Sequence, residues 1–388
     1  MVIRAPIRDT AGMVSGLTID RVRNDVDVLS RAGLDSPTFL NETVSSLQRA
    51  VPNCAVCVAT LDPATRLLTG TYKFGDLLGK DNRDHEWGLI EYGSVETTTF
   101  TELFSSGTPA AGVSLVTGGD VARSPRIGGF MRPHFGYSDE VRVLAQVGAQ
   151  LWAALCFFRT TADGPFDEDD VAFLSSLSQT LGAGLRTGLL AAVAAAPPAI
   201  PGGPAVIIVD RNNMLSQVSV GAHERVAEMV SGSNAGAPTG IISSLVAGAR
   251  RYAAGEIETL PRCRVRQRTG QWFVLHASPL SGVGGTTGDV VVTIEEARPP
   301  EIVPLVVAAF GLTARERDVC QLVLQGVETK EISANLHMST YTVQDHLKSI
   351  FEKADVRSRR ELMARVFFDQ YVSRIGSDLS PSGWFASA

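Results

Sequence analysis

Apolar residues recur every three or four positions near the start of the chain, at Ile19, Val22, Val26 and Leu29. This spacing predicts a helix. Ser36 and Pro37 then have the form of an N-cap followed by proline at the first helical position, so a second helix is expected from there. Three later runs have the length and residue types of strands, namely CAVCVATLD (54–62), RLLTGTYKF (66–74) and LWAALCFFR (151–159).

Residues 164–185, GPFDEDDVAFLSSLSQTLGAGL, predict a long closing helix with acidic residues around Asp167 at its start. Apolar side chains fall on every fourth position of this stretch and just beyond it, at Phe173, Leu177, Leu181, Leu185 and Leu189. The stripe has more apolar surface than one face of a domain core requires, and it continues into the small residues AAVAAA, which permit close approach of another helix. It therefore favours a homodimer interface. A place in the domain core explains the same stripe.

A second alternation of strands and turns occupies AVIIVDRNNMLSQVS (205–219), RCRVRQRTGQWFVLHASPL (262–280) and GDVVVTIEEA (288–297). Proline-rich stretches, AAAPPAIPGGP (194–204) and ARPPEIVP (297–304), flank it, and Pro and Gly at this density interrupt helices and strands. We therefore predict a flexible N-terminus 1–16, a first domain 17–193, a linker 194–204, a second domain 205–297, a linker 298–306, a third domain 307–370 and a tail 371–388.

The third predicted domain carries local signals for a compact set of helices. Thr313 and Glu316 have the spacing of a capping box, and Gly326 fits the left-handed position after a helix. Two short helical segments follow on either side of the break HMS, and Ser339 is the expected N-cap of the second one, TYTVQDHLKSIFEK (340–353). Val343, Leu347 and Ile350 share the inner face of that helix, whereas Thr340, Gln344, Asp345 and Lys348 share the outer face.

A polar helix face of this kind has a well-known physical use. Two short helices at a sharp angle bury little surface by themselves, but packed on a third helix they present one polar face to the outside. The major groove of DNA is about 12 Å wide and admits such a helix. The pattern therefore predicts a DNA-binding helix-turn-helix.

The same stretch resembles the LuxR-type helix-turn-helix (the GerE and NarL group) over about sixty residues. The matching positions are Leu312, Thr313, Arg315, Glu316, Gly326, Lys330, Glu331, Ile332, Leu336, Ser339, Thr342, Val343, His346, Lys353, Ser358, Arg359 and Leu362. The resemblance implies base reading by Gln344, Asp345 and Lys348. It implies DNA-backbone contacts by Lys330, Ser339, Thr340, Tyr341, Thr342, Lys353 and Arg359.

The two preceding domains resemble sensor folds. LWAALCFFR, GPFDEDD and the closing helix are similar to a GAF domain, and the RTGQW hairpin with the final strand is similar to a PAS domain. The expected fold is therefore an α+β multidomain chain: a GAF-like α/β sensor, a PAS-like α/β domain and an all-α C-terminal helix-turn-helix. Such sensor folds commonly enclose a pocket between sheet and helices, although a fold alone never proves a ligand.

Aromatic residues crowd the middle of the first domain, and they favour an apolar or aromatic effector of unknown identity. The candidate pocket residues are Trp87, Tyr92, Phe100, Phe130, Phe135 and Tyr137. Core packing explains most of them equally well. No heme or flavin signature stands out, so no cofactor is named.

Composition narrows the choice of function. The net charge of the whole chain is −6, which does not indicate nucleic-acid binding. Residues 310–370 contain nine Lys/Arg and nine Asp/Glu, so this domain has no net charge. Non-specific DNA binding should therefore be weak, which favours a homodimer on paired half-sites of double-stranded operator DNA, with RNA polymerase as a further partner. The alternative is a ligand-sensing interaction module whose helix-turn-helix no longer binds DNA.

The remaining sequence features argue against certain kinds of protein and do not assign a function. Five scattered cysteines are typical of a reduced cytoplasmic protein, and Cys54 and Cys57 on one strand should point to opposite faces, which disfavours a metal site. No signal-peptide core is present and the apolar run GLLAAVAAA (188–196) is about half of a membrane span, so a cytoplasmic protein without a membrane partner is expected. The usual catalytic motifs are missing, so the chain is not expected to be an enzyme.

Overall fold

The chain forms two compact units in the computed structural model. The structure describes residues 16–93, 96–190, 204–229, 234–267, 270–282 and 285–368. Of these, the first unit contains 16–190, 204–267 and 273–295, and the second contains 270–272 and 296–368. Apart from Gly16 and Pro204, the predicted flexible N-terminus, first linker and C-terminal tail lie outside the described residues.

Two helices precede the first sheet, α1 (Gly16–Arg31) and α2 (Ser36–Ala50). The N-cap of α2 is Asp35 and not Ser36, because the Asp35 carboxylate accepts the Thr38 N–H at 2.8 Å. The strands are β1 (Ala55–Leu61), β2 (Leu68–Gly75), β3 (Ala110–Gly112), β4 (Tyr137–Val147) and β5 (Gln150–Thr160). They pair antiparallel in the order β2-β1-β5-β4-β3, so β1 and β5 lie inside the sheet and are largely buried.

Short helices cover this sheet: α3 (Asp84–Gly93), α4 (Phe100–Ser105), α5 (Val113–Val116) and α6 (Arg132–Phe135). The predicted long closing helix is two helices, α7 (Glu168–Ser176) and α8 (Ser178–Leu189), that meet at Leu177.

The stripe expected to form a dimer interface lies inside the first unit. Phe173, Leu177, Leu181 and Leu185 are each at most 7% exposed, because α8 packs against β4, α1 and α2. A core role, the alternative that the stripe allows, therefore explains these four residues, and a homodimer stays a prediction.

The second sheet is built from β6 (Ala205–Val209), β7 (Leu215–Val218), β8 (Arg262–Arg266), β9 (Trp272–Gly282) and β10 (Gly285–Glu296). Its order, β7-β6-β10-β9-β8, repeats the order of the first sheet strand for strand. Two helices, α9 (Ala222–Ala227) and α10 (Thr239–Ala253), lie between β7 and β8 in the chain. Residues 268 and 269 of the RTGQ turn lie outside the described residues.

Both sheets lie in one compact unit, whereas the sequence predicts two separate domains. Helix α10 packs along α3, and Asp62, which directly follows β1, pairs with Arg264 of β8 at 2.5 Å. Both partners of this ion pair are buried. A buried pair of opposite charges ties the two parts together because separating them would leave each charge without its partner.

The second unit is helical: α11 (Pro299–Ala309), α12 (Ala314–Leu324), α13 (Thr329–Asn335), α14 (Thr340–Lys353) and α15 (Arg359–Met363). Helix α11 covers residues 299–306 of the predicted linker 298–306, so the expectation that proline interrupts helices there is wrong. Pro299 and Pro300 stand at the first helical positions, where no N–H is needed, and Ile302, Leu305 and Val306 are buried. Proline therefore starts this helix and does not prevent it.

Candidate nucleic-acid interface

Helix α12 begins with the predicted capping box. The Thr313 N–H donates to the Glu316 carboxylate at 2.6 Å, and the Glu316 N–H donates to Thr313 Oγ1 at 3.3 Å. Glu316 also accepts hydrogen bonds from Ser349 Oγ (2.6 Å) and Lys353 Nζ (2.6 and 2.8 Å), both on α14. One buried carboxylate thus caps α12 and fixes α14 against it.

A tight turn separates α13 from α14. His337 adopts a left-handed backbone conformation with φ of 53°, which is uncommon for a residue other than glycine. The turn is held by Ser333, whose carbonyl accepts the Met338 N–H (3.0 Å) and whose hydroxyl donates to the Met338 carbonyl (2.5 Å). These bonds set the sharp angle between the two helices. Gly326, after α12, has φ of 82°, as its place in the sequence predicts.

Helix α14 has one apolar and one polar face. Ser339 caps it by accepting the Thr342 N–H at 3.0 Å, as predicted. Val343, Leu347 and Ile350 are at most 3% exposed and pack toward α12 and α13. The exposed side chains of the opposite face are Thr340, Tyr341, Gln344, Asp345 and Lys348.

The three residues implied in base reading lie on this exposed face. Gln344 Nε2 is 3.5 Å from Thr329 Oγ1 at the start of α13, a contact that orients the amide along the surface. Asp345 and Lys348 are exposed, and the structure shows no contact for either among the described residues. Their reading of bases stays a prediction.

The residues implied in DNA-backbone contacts divide into two groups. Five are exposed at α13 or at the start of α14: Lys330, Ser339, Thr340, Tyr341 and Thr342. The other two make internal contacts. Lys353 is bound to Glu316, and Arg359 donates to the Val327 carbonyl and to Thr329 Oγ1, both at 2.7 Å. In this structure Lys353 and Arg359 brace the helices, and a role at the phosphates stays a prediction.

Three of the predicted effector-pocket residues meet at one cavity in the first unit. Trp87, Tyr92 and Phe100 line a space of about 30 Å³ between the first sheet and α3. Phe130, Phe135 and Tyr137 lie outside this lining. They form a run of ring contacts, with Phe130–Phe135 centroids 5.8 Å apart and Phe135–Tyr137 centroids 5.9 Å apart. The sequence therefore groups six aromatic residues that the structure divides between a cavity and a packed cluster.

Charged and sulfur-bearing residues at this cavity were missed by sequence reasoning. Lys73 and Glu91 are at most 6% exposed and line it. Cys57 of β1 and Cys156 of β5 also line it and stand directly opposite each other in the sheet. Lys73 sits in a strand-like run where a lysine normally marks the solvent face, so no sequence signal separates it from a surface residue.

The described helices fall short of the length and apolar character required to cross a membrane. Among the described residues there is also no group of three or more His, Cys, Asp or Glu side chains placed to hold a metal ion.

The capped helices, the tight turn and the polar face of α14 define the second unit as a helix-turn-helix. Residues 311–366 match the family described as bacterial regulatory proteins, luxR family. The chain is 36% identical over 55 residues to the spore germination protein GerE of Bacillus subtilis, a match that covers 14% of this chain and 74% of that protein. The chain therefore belongs to the luxR family of bacterial regulatory proteins.

Another relative matches over a similarly short length of chain. The monoamine regulon transcriptional regulator of Klebsiella aerogenes is 41% identical over 56 residues, which is 14% of this chain and 25% of that protein. The chain thus spans about a quarter of the length of this relative. Among solved structures, a phage VqmA–DPO complex is 17% identical with a TM-score of 0.24, over 42% of this chain and 79% of that one. A TM-score this low assigns neither a fold nor a ligand to the first unit.

Proposed function

We propose that the chain is a sequence-specific DNA-binding transcription regulator whose first unit senses a small molecule or a partner. The observation that carries this proposal is α14, a helix with a buried apolar face and an exposed polar face inside a domain of the luxR family. At about 1.5 Å per residue its length is about 20 Å, and its polar end can enter a major groove about 12 Å wide.

The charge of residues 310–370 explains why one copy of this domain would bind DNA weakly. The equal numbers of acidic and basic residues in 310–370 provide little counterion release at the DNA backbone, and Lys353 is already paired with Glu316. Binding by a homodimer to paired half-sites would double the contacts without changing the protein. The half-sites are then expected about one helical turn apart. Once bound, the regulator would act on RNA polymerase.

The first unit is the proposed sensor. Its two sheets share one strand order, which supports two related sensor-type folds of the GAF and PAS kind. The cavity lined by Trp87, Tyr92 and Phe100 is the proposed effector site.

Selection from random duplexes tests the DNA-binding proposal directly. The full chain should enrich one sequence with two-fold symmetry, and the double variant Gln344→Ala/Lys348→Ala should lose that enrichment. Arg315→Ala is the matched control, because it removes a positive charge that is exposed on α12 and paired at 3.7 Å with Asp318. No enrichment by the unaltered chain, or equal loss in the control, would refute the assignment of α14 as the recognition helix.

A second candidate is a sensing and interaction protein whose helix-turn-helix no longer binds DNA. The neutral charge of residues 310–370 favours it. In that case the selection returns no sequence with or without added metabolites, and thermal-shift screening of the full chain still finds a stabilising ligand.

A further inference from the structure

Strand β7 is an edge strand of the second sheet, and it is exposed along its whole length. It pairs with β6 on one side, and all four of its residues are exposed. Apart from this pairing, its backbone makes no hydrogen bond with another segment in the described part of the chain. A free strand edge of this kind carries a row of N–H and C=O groups that can pair with another strand.

The other three sheet edges of the first unit are covered by the chain itself. Residues 234–236 lie along β2 and share two backbone hydrogen bonds with it, of 2.7 and 2.8 Å. The residues of β3 are buried, and α7 packs against them. In β8, the Arg264 N–H donates to the buried Asp62 carboxylate at 3.0 Å. Among the described residues, β7 is therefore the sheet edge that stays open to a further strand.

A β-bulge places two apolar side chains of β7 on the core face of the sheet. The pairing with β6 skips one residue of β7, so that Leu215 stands opposite Val209 while Val218 stands opposite Ile207. Val209 and Ile207 are both buried in the core. Directly opposite residues of a sheet share a face, so Leu215 and Val218 point to the core side as well. They are nevertheless 60% and 40% exposed, and a strand paired to the free edge of β7 would cover them.

The residue types along this edge favour a second copy of the chain as the added strand. Residues 214–220, MLSQVSV, contain no charged residue, proline or glycine, so two copies would bring no like charges together. Met214 and Val220 extend the exposed apolar surface at the two ends of β7. A strand edge is also complementary to itself, because antiparallel pairing about a two-fold axis brings the free N–H groups of each strand to the free carbonyls of the other.

Self-pairing also matches the apolar side chains to each other. In an antiparallel pair of identical strands, the first residue of one strand lies opposite the last residue of the other. Leu215 of one copy would therefore lie opposite Val218 of its partner, on the core face of both sheets. Each copy would supply the neighbour that the exposed side chains of the other one need.

We propose that β7 is a homodimer contact, in which β7 of a second copy of this chain pairs antiparallel with it and joins the two second sheets into one continuous sheet. This rests on the homodimer of the proposed function and names the surface that forms it. Because each copy contributes only one short strand, we expect a weak contact in the free protein, with a dissociation constant of about 10 µM. Paired half-sites on DNA would hold two copies close together and strengthen the contact.

A charge on the core face of β7 tests the contact. Leu215→Lys replaces an apolar side chain by an ammonium group that pairing would partly remove from water. Sedimentation of the full chain should show that this variant dimerises about tenfold or more weakly than the unaltered chain. Leu78→Lys is the matched control, because Leu78 is a similarly exposed leucine (54%) outside the second sheet. Equal effects of the two substitutions, no effect of Leu215→Lys, or an unaltered chain that stays monomeric at about 200 µM would overturn the proposal.

Hydrogen exchange locates the contact without any substitution. Peptides that cover residues 214–220 should exchange about fivefold or more slowly when the full chain is concentrated well above its dimer dissociation constant than when it is diluted below it. Peptides from the interior strands β1 and β5 should not change. Protection of another surface with β7 unchanged would overturn the homodimer contact and leave this edge available to an extended peptide of another protein.

Cross-linking tests the antiparallel arrangement. Gln217 lies in the middle of the pairing segment, so the two-fold axis would bring Gln217→Cys of both copies close enough for a disulfide. Under air oxidation this variant should form a covalent dimer about tenfold or more faster than Gln179→Cys, which places an exposed thiol on α8. Equal rates of cross-linking would count against the pairing of β7 with its copy.

None of these measurements uses DNA, so failure of the contact and failure of the proposed function can be distinguished. If the duplex selection fails while β7 is protected in the dimer, the proposed regulator is refuted and the contact stands. If a chain without this contact still selects a symmetric operator, the β7 dimer is refuted and the regulator stands.

Discussion

Glu316→Gln is expected to destabilise the helix-turn-helix through one buried carboxylate. Glu316 is 5% exposed and receives hydrogen bonds from Thr313, Ser349 and Lys353. Burial by itself would raise the pKa of this carboxyl, but the donors from Lys353, Ser349 and Thr313 lower it from 4.5 to about 2. One pKa unit equals about 1.4 kcal/mol, so the ionised form contributes about 3 kcal/mol to the folded state.

The sign of the pH dependence follows from the direction of this shift. A carboxyl whose folded pKa is depressed stabilises the folded state fully above the unfolded pKa, here about 4.5, and loses that contribution as the pH falls toward 2. Glutamine keeps the shape of the side chain but removes the charge that holds Lys353. We expect Glu316→Gln to cost about 2 to 3 kcal/mol near neutral pH and to remove most of the pH dependence below 4.5.

Hydrogen exchange of peptides from α12 and α14, measured on the full chain in urea, gives the local free energy of unfolding. Asp318→Asn is the matched control, since this carboxylate lies on the same helix, is 48% exposed and pairs weakly with Arg315 at 3.7 Å. The control should change stability by less than about 0.5 kcal/mol. The reasoning fails if the two variants lose the same stability, or if Glu316→Gln keeps the acid dependence of the unaltered protein.

Three further outcomes are expected. Lys348→Ala should cost about 1 to 3 kcal/mol of DNA-binding free energy at one base pair of the operator. Lys330→Ala should instead weaken binding to all sequences and reduce the dependence of the affinity on salt concentration. Titrations with mutated duplexes at several salt concentrations distinguish the two variants. Asp62→Ala should cost about 3 to 5 kcal/mol in the urea-unfolding free energy of the first unit, because it removes the carboxylate that pairs with the buried Arg264, and a loss no larger than that for an exposed carboxylate would contradict this. Ser339→Ala should lower the stability of α14 by about 1 kcal/mol through the lost N-cap, visible as faster hydrogen exchange in its first turn.

The helix-turn-helix is predictable from sequence because each of its signals is local. The capping box of Thr313 and Glu316, the N-cap Ser339 and the left-handed Gly326 each depend on residues a few positions apart, and the structure confirms all of them. The alternation within α14 likewise predicts its buried face. Patterns of this kind depend mainly on backbone geometry over a few residues.

Contacts between distant segments explain what the sequence could not show. Asp62 and Arg264 are far apart in the chain and each looks like an ordinary surface charge. The break at Leu177 falls inside a continuous apolar period, which therefore predicts one helix where there are two. The number of prolines at the start of α11 favours a linker in the sequence. The first turn of a helix nevertheless tolerates proline, and α11 begins there.

The internal contacts of Lys353 and Arg359 bear on how this domain would hold DNA. The resemblance to the family implies DNA-backbone contacts for both residues, yet each has a partner inside the domain. Moving Lys353 to a phosphate would leave the buried Glu316 without its cation, a cost that would offset much of the new contact. Lys330, which is exposed and has no ion pair among the described residues, would then carry more of the phosphate attraction. With fewer available cations on one copy, we expect stable binding at moderate salt to require the proposed base contacts from α14 and a second copy at a neighbouring half-site.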